Sequence, residues 1–133
     1  MLSSIHTHLF SFNDMAGKSP TQLSLELMRA RGYTCAVVEH WNPFARIRQD
    51  LFGFIDVLCL GDGEIIGVQT TSRGNISKRS TKIKEHENLL PVLDSGMRIL
   101  VHGWAKNKSN RWEVKESEIK FVPEENAELD ETA

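Results

Sequence analysis

The sequence predicts an α/β fold, a central mixed sheet of four to five strands flanked by helices in the order α-β-β-β-α-β. Three observations lead there. Residues 54–60 (FIDVLCL) and 64–70 (EIIGVQT) are nearly continuous apolar runs of strand length, joined by Gly61-Asp62-Gly63, which is strong hairpin punctuation. Runs of that kind belong inside a sheet covered on both faces. Two helical patterns, at 19–31 and 77–90, alternate with strand-like stretches, as in helices packed on a sheet. The composition, 40% hydrophobic and 26% charged over 133 residues, suits one domain with its own core. That domain is expected at 1–122, followed by an acidic, disordered tail at 123–133.

Residues 1–18 are weakly patterned. His6 and His8 form an HxH pair with no further ligand nearby, so an irregular N-terminus is the better reading. Ser19-Pro20 opens the first helix, Ser as N-cap and Pro at the first helical position. Leu23, Leu27 and Ala30 supply its apolar face, and Gly32 its stop. Residues 33–41 (YTCAVVEHW) read as one strand, with Cys35, Val37 and Glu39 on one face and Ala36, Val38 and His40 on the other. Asn42-Pro43 ends it, and 44–50 (FARIRQD) reads as a loop. The hairpin follows. Gly74 marks a turn, and a polar helix runs over 77–90. Pro91 and Gly96 bracket a poorly defined piece. Residues 97–105 (MRILVHGWA) form a fourth strand and 111–116 a short edge strand.

No apolar run approaches the roughly 18–20 residues needed to cross a bilayer, and the first residues lack the basic start and long apolar core of a signal peptide. A cytoplasmic location follows as the expectation. Cys35 and Cys59 both fall in buried strands and read as reduced core residues. The net charge of −2 conceals an uneven distribution. Five of the 18 acids lie in the last ten residues without a base, which leaves 13 acids against 16 bases before them. Arg73, Lys78, Arg79, Lys82 and Lys84 fall in one stretch with no acid. Such a run either contacts a phosphate backbone or is a solvated helix face.

The hairpin carries the chemistry. Asp56 and Gln69 interrupt otherwise apolar strands, and a carboxylate there is expensive unless paired or bound to a cation. Set side by side, with Glu39 or Asp50 adding a carboxylate and Thr70 its backbone carbonyl, they form an oxygen-rich site for Mg²⁺ or Mn²⁺. A metal so held activates water and neutralises charge on a phosphodiester. The structural alternative for Asp56 is a salt bridge to an arginine such as Arg48. Arg46 and Arg48 are phosphate candidates with solvation as the alternative. His40, His86 and His102 read as structural or exposed, and Trp41, Trp104 and Trp112 as cover for the core or sheet edges.

The order of elements, with FIDVL and VQTT across a hairpin, resembles the PD-(D/E)XK nuclease superfamily. Within it the chain is most similar to the archaeal Holliday-junction resolvase, restriction-endonuclease-like type. The resemblance covers about 19–118: RARGYTCAVV matches a helix ending in Gly before a strand, Asp56 the motif Asp, and Gln69-Thr70-Thr71 the Glu-x-Lys. It implies a metal-dependent endonuclease acting on DNA, with no membrane partner and a possible homodimer. Asp56, Gln69 and Glu39 would be catalytic and ligate metal together with Thr70. Arg46, Arg48, Arg73, Lys78 and Arg79 would hold nucleic acid. Two departures stand out. Gln69 replaces the usual acid, and Thr71 replaces the lysine, whose role Lys82 or Lys78 could take from the following helix. Glu26 lies in the helix that carries the family's N-terminal Glu, but nearer its end. The alternative is a catalytically inactive nuclease-fold protein that binds nucleic acid or a protein partner.

Overall fold

Among the described residues, seven strands and three α-helices follow a turn at Gly17. The structure, a computed structural model, describes residues 17–121. The His6/His8 pair and the acidic residues from Glu124 onward lie outside the described residues.

Helix α1 (Pro20–Ala30) begins as the sequence requires: the Ser19 side chain accepts a hydrogen bond from the Gln22 N–H at 3.2 Å, and Pro20 takes the first helical position. Strand β1 (Thr34–Val37) follows directly. The continuous strand expected over 33–41 is two strands. The chain leaves the main sheet after Val37, where the Val38 N–H bonds the Asp56 carbonyl. It then forms β2 (His40–Asn42), which pairs antiparallel with β3 (Ile47–Gln49) in a separate two-stranded sheet. The stretch expected to be a loop therefore contains β3. Strands β4 (Val57–Gly61) and β5 (Glu64–Ser72) form the predicted hairpin. A single 3₁₀ turn (Arg73–Asn75) leads into α2 (Ile76–Lys84). The single helix expected over 77–90 stops at Lys84, and α3 (Leu89–Asp94) starts afresh. Pro91 sits in its first turn, where the absent N–H costs nothing. Strands β6 (Arg98–Lys106) and β7 (Trp112–Ile119) complete the chain, β7 being longer than expected.

The main sheet has the order β1-β4-β5-β6-β7, with β5 and β6 parallel and the other neighbours antiparallel. It is a mixed five-stranded sheet in an α/β architecture. The order α-β-β-β-α-β is thus corrected by an inserted hairpin, an extra helix and a long last strand. Cores form on both faces. Leu25 and Met28 of α1 pack on Cys35, Val57, Cys59, Ile66, Val68 and Leu100. On the other face Ile83, Leu89 and Val92 of α2 and α3 pack on Phe54, Ile55, Ile99, Val101 and Ile119. Strand β5 is buried on both faces, as its sequence requires; on β4, Leu60 stays half exposed. Cys35 and Cys59 face each other across β1 and β4 as buried free thiols, and burial pushes the Cys59 thiol well up.

Two interior contacts fix helices to the sheet. Gly103 of β6 lies against the start of α2: a Cβ there would strike Ile76 and stand 2.9 Å from the Arg73 Cα. On the α1 face, the hydroxyl of Ser24 takes the Trp104 indole N–H at 2.9 Å and meets His102 Nδ1 at 2.9 Å. His102 Nε2 in turn lies 2.7 Å from Glu116, which Arg31 also grips at 2.7 Å. Burial lowers the His102 pKa, so Nδ1 accepts from Ser24 and Nε2–H donates to Glu116. Burial works to raise the Glu116 carboxyl, but Arg31 and His102 together hold it below its ordinary value. The serine and histidine are fully buried, so this row of polar groups joins α1 to the sheet and is not a nucleophile site.

Among the described residues, no helix is long and apolar enough to cross a membrane.

Candidate active site

The site lies where β5 runs past the end of β4. Asp56 stands one residue before β4, held in the sheet by its own N–H to the Val68 carbonyl and its carbonyl to Val38. Its side chain is 3% exposed. Three donors converge on its Oδ2: the Gln69 amide at 2.5 Å, the Thr70 backbone N–H at 2.8 Å and the Thr70 hydroxyl at 3.1 Å. The salt bridge weighed for Asp56 does not form. Arg48 instead approaches Glu39, at 3.7 Å.

Glu39, Asp50 and Asp56 bring carboxylate oxygens within 4.8 Å of one another. Each comes from a different place in the chain: Glu39 between β1 and β2, Asp50 just after β3, and Asp56 before β4. Three carboxylates so close cannot all stay ionised cheaply without a counter-charge. Burial, reinforced by Asp50, pushes the Asp56 carboxyl up to about 6, although the Thr70 N–H works the other way. Burial and then the neighbouring Asp56 likewise raise Glu39, against the hydroxyl of Thr21 and the charge of Arg48. In an extended strand one residue's N–H and C=O leave on the same side, so the Thr70 carbonyl also faces the β4 side. The donors are all oxygen, which fits Mg²⁺ or Mn²⁺ and not a soft metal.

The cluster lines an open cleft of about 580 Å³. Arg48 and Arg79 stand on its wall, and Thr71 and Ser72 continue it along β5. Ser19, Pro20 and Thr21 bring the N-terminus of α1 into it, and Thr21 Oγ1 meets Thr70 Oγ1 at 2.9 Å. A second cavity, of about 340 Å³, opens on the other side of Gln69 and is lined also by Asp50, Arg79 and Lys82.

Asp56, Gln69, Thr70 and Glu39 therefore come together, with Arg48 and Arg79 beside them. Lys82 projects from α2 into the cavity behind Gln69. Arg73 and Lys78 are exposed near and on α2, outside both cavities, and Arg46 is exposed in the turn of the β2–β3 hairpin. Glu26 pairs with Lys18 at 2.8 Å and is not part of the cleft. Asp50, weighed only as a second choice beside Glu39, is a full member of the cluster. Thr21 and Ser19 were not foreseen at the site. The N-cap signal located the helix start, but nothing local says which end of the sheet that start meets.

Compared with family models, with curated proteins and with solved structures, the chain finds no match in any of the three.

Proposed function

We propose that the protein is a metal-dependent endonuclease that hydrolyses DNA phosphodiester bonds on a PD-(D/E)XK-type, restriction-endonuclease-like core. The observation that carries this reading is the convergence of Glu39, Asp50, Asp56 and Thr70 on a cleft walled by Arg48 and Arg79, with Gln69 bonded to Asp56 from the side of the second cavity. An acidic cluster with one carboxylate buried and two half-buried invites a cation; arginines beside it invite a phosphate. Asp56, Glu39 and Asp50 would hold Mg²⁺ or Mn²⁺ with the Thr70 carbonyl, and Gln69 would join by turning its amide oxygen toward them. When bound, the ion supplies a lowered pKa for water and charge neutralisation on the phosphate.

The chain's own residues do the rest. Arg48 and Arg79 grip the phosphate being cut. Lys82, reaching past Gln69, supplies the positive charge that Thr71 cannot. Arg73 and Lys78 hold flanking phosphates and set the strand's path. The N-terminus of α1 adds its partial positive charge at the cleft. A homodimer would let two clefts act on one branched substrate.

A specific feature favours the second reading, a non-catalytic DNA binder: Thr71 occupies the lysine position, and Asp56 Oδ2 already accepts three hydrogen bonds. Titration with Mg²⁺ and Mn²⁺ against branched, duplex and single-stranded DNA separates the two. Cleavage that disappears in Asp56→Ala supports the nuclease. Binding without cleavage in either metal removes the enzymatic reading.

A further inference from the structure

We infer that the β2–β3 hairpin is a base-stacking wedge that directs the cleft to DNA with unpaired bases. The inference deepens the proposed activity and rests on DNA being the ligand.

The hairpin exposes what folding ordinarily hides. Phe44, in its turn, is 97% exposed, and Trp41 and Ile47 are each about half exposed. From Trp41 to Gln49 it holds two aromatics and two arginines, Arg46 and Arg48, and no acid. Phe44 at the tip and Trp41 on the face it shares with Arg48 make a binding surface, which Ile47, paired with Asn42 on the opposite face, does not extend. Their mixture with guanidinium groups suits a partner that is anionic and has flat apolar faces, which is unstacked nucleic acid.

The turn is built to present Phe44. The Asn42 side-chain oxygen accepts from the Phe44 N–H at 3.0 Å and the Ala45 N–H at 3.1 Å, and Pro43 stiffens the bend. Arg46 takes a left-handed conformation, φ 54°, that closes it. The backbone that carries the ring is thus fixed before binding, and only the two side-chain torsions of Phe44 remain to be ordered.

Its position ties it to the cleft. Glu39 precedes β2 and Asp50 follows β3, so both arms spring from the acidic cluster. Trp41 pairs directly with Arg48, which lines the cleft, so the two share a face. Phe44 lies five residues past Glu39, three of them strand β2 before the turn, so the tip stands on the order of 10 Å along the hairpin from the cluster, or about three base steps of DNA. A strand with one phosphate in the cleft thus brings bases a few steps away to the aromatic tip. In an intact duplex those bases are stacked on one another. At a fork, junction or single-stranded end they are available.

The test compares a blunt duplex with the same duplex carrying a single-stranded fork. Binding is measured by anisotropy in EDTA and again in Ca²⁺, so that cleavage plays no part. We expect wild type to prefer the fork. The double variant Trp41→Ala/Phe44→Ala should lose about tenfold or more of its fork affinity and stay within about twofold on duplex. Trp41→Phe and Phe44→Tyr should restore the preference. Both side chains are exposed, so melting curves should match wild type. In wild type alone, 2-aminopurine placed in the fork should change fluorescence on binding. Equal losses on fork and duplex, or no loss on either, would overturn the wedge, as would failure to bind any DNA. A fork preference lost in the double variant, with no cleavage in any metal, sustains the wedge and removes the nuclease. Cleavage with an unchanged fork preference does the reverse.

Discussion

At the scale of single residues, Asp56 decides most. Its folded pKa of about 6 lies above its ordinary 3.8, so the metal-free fold is favoured by this group below pH 3.8 and loses that advantage as pH rises through 6. A rise from 3.8 to about 6 corresponds to about 3 kcal/mol. In EDTA, Asp56→Asn should therefore be more stable than wild type at pH 8 by up to about 3 kcal/mol in urea melts. The gap should close toward pH 4. Mg²⁺ or Mn²⁺ should raise the wild-type melting temperature above pH 6 and leave the variant's unchanged, because protons and metal compete for the same oxygens. The mirror case is Ser24→Ala. It strands the Trp104 indole N–H and one His102 nitrogen in the core, and should cost about 2 kcal/mol without altering metal binding. Asp56 and Gln69 were legible because each breaks an apolar run. Asp50 and Thr21 were not, because a polar residue in a loop or at a helix start breaks no pattern.

At the scale of elements, α2 is placed by one glycine. Gly103→Ala sets a methyl group against Ile76 and the Arg73 backbone. Ile76 can repack, but the backbone contact forces the helix away, at about 1–3 kcal/mol. The measurement is a thermal melt together with DNA affinity, and both should fall because the helix carries Lys78, Arg79 and Lys82. The two central strands, the first helix and the strand at 97–105 could be read from the sequence because their patterns have one solution. The stretch 33–41 could not. Alternation fits one strand or two equally well, and only the Val38 hydrogen bond to Asp56, from a segment far along the chain, shows where the first sheet ends. Pro91 misled in another way. It reads as a breaker after 77–90, whereas the break comes earlier and Pro91 sits in the first turn of the next helix.

At the scale of the whole molecule, binding should be governed by salt. On the proposed reading Arg48, Arg73, Lys78, Arg79 and Lys82 would make about five phosphate contacts, so log affinity for duplex should fall against log salt with a slope of about −4.5. Lys78→Ala should flatten that slope by about one and weaken all DNA shapes alike, unlike the change expected at Phe44. The net charge of −2 argues against nucleic acid, and the acid-free run of bases from Arg73 to Lys84 is what makes it a proposal. The hairpin that bears Phe44 also links Glu39 to Asp50, while Asp56 is pinned inside the main sheet. Two carboxylates thus stand at the two feet of the hairpin, and the third in the segment to which both feet are bonded. An oligonucleotide that orders the hairpin would order those feet too, so oligonucleotide and cation should each tighten the other's hold by one common factor.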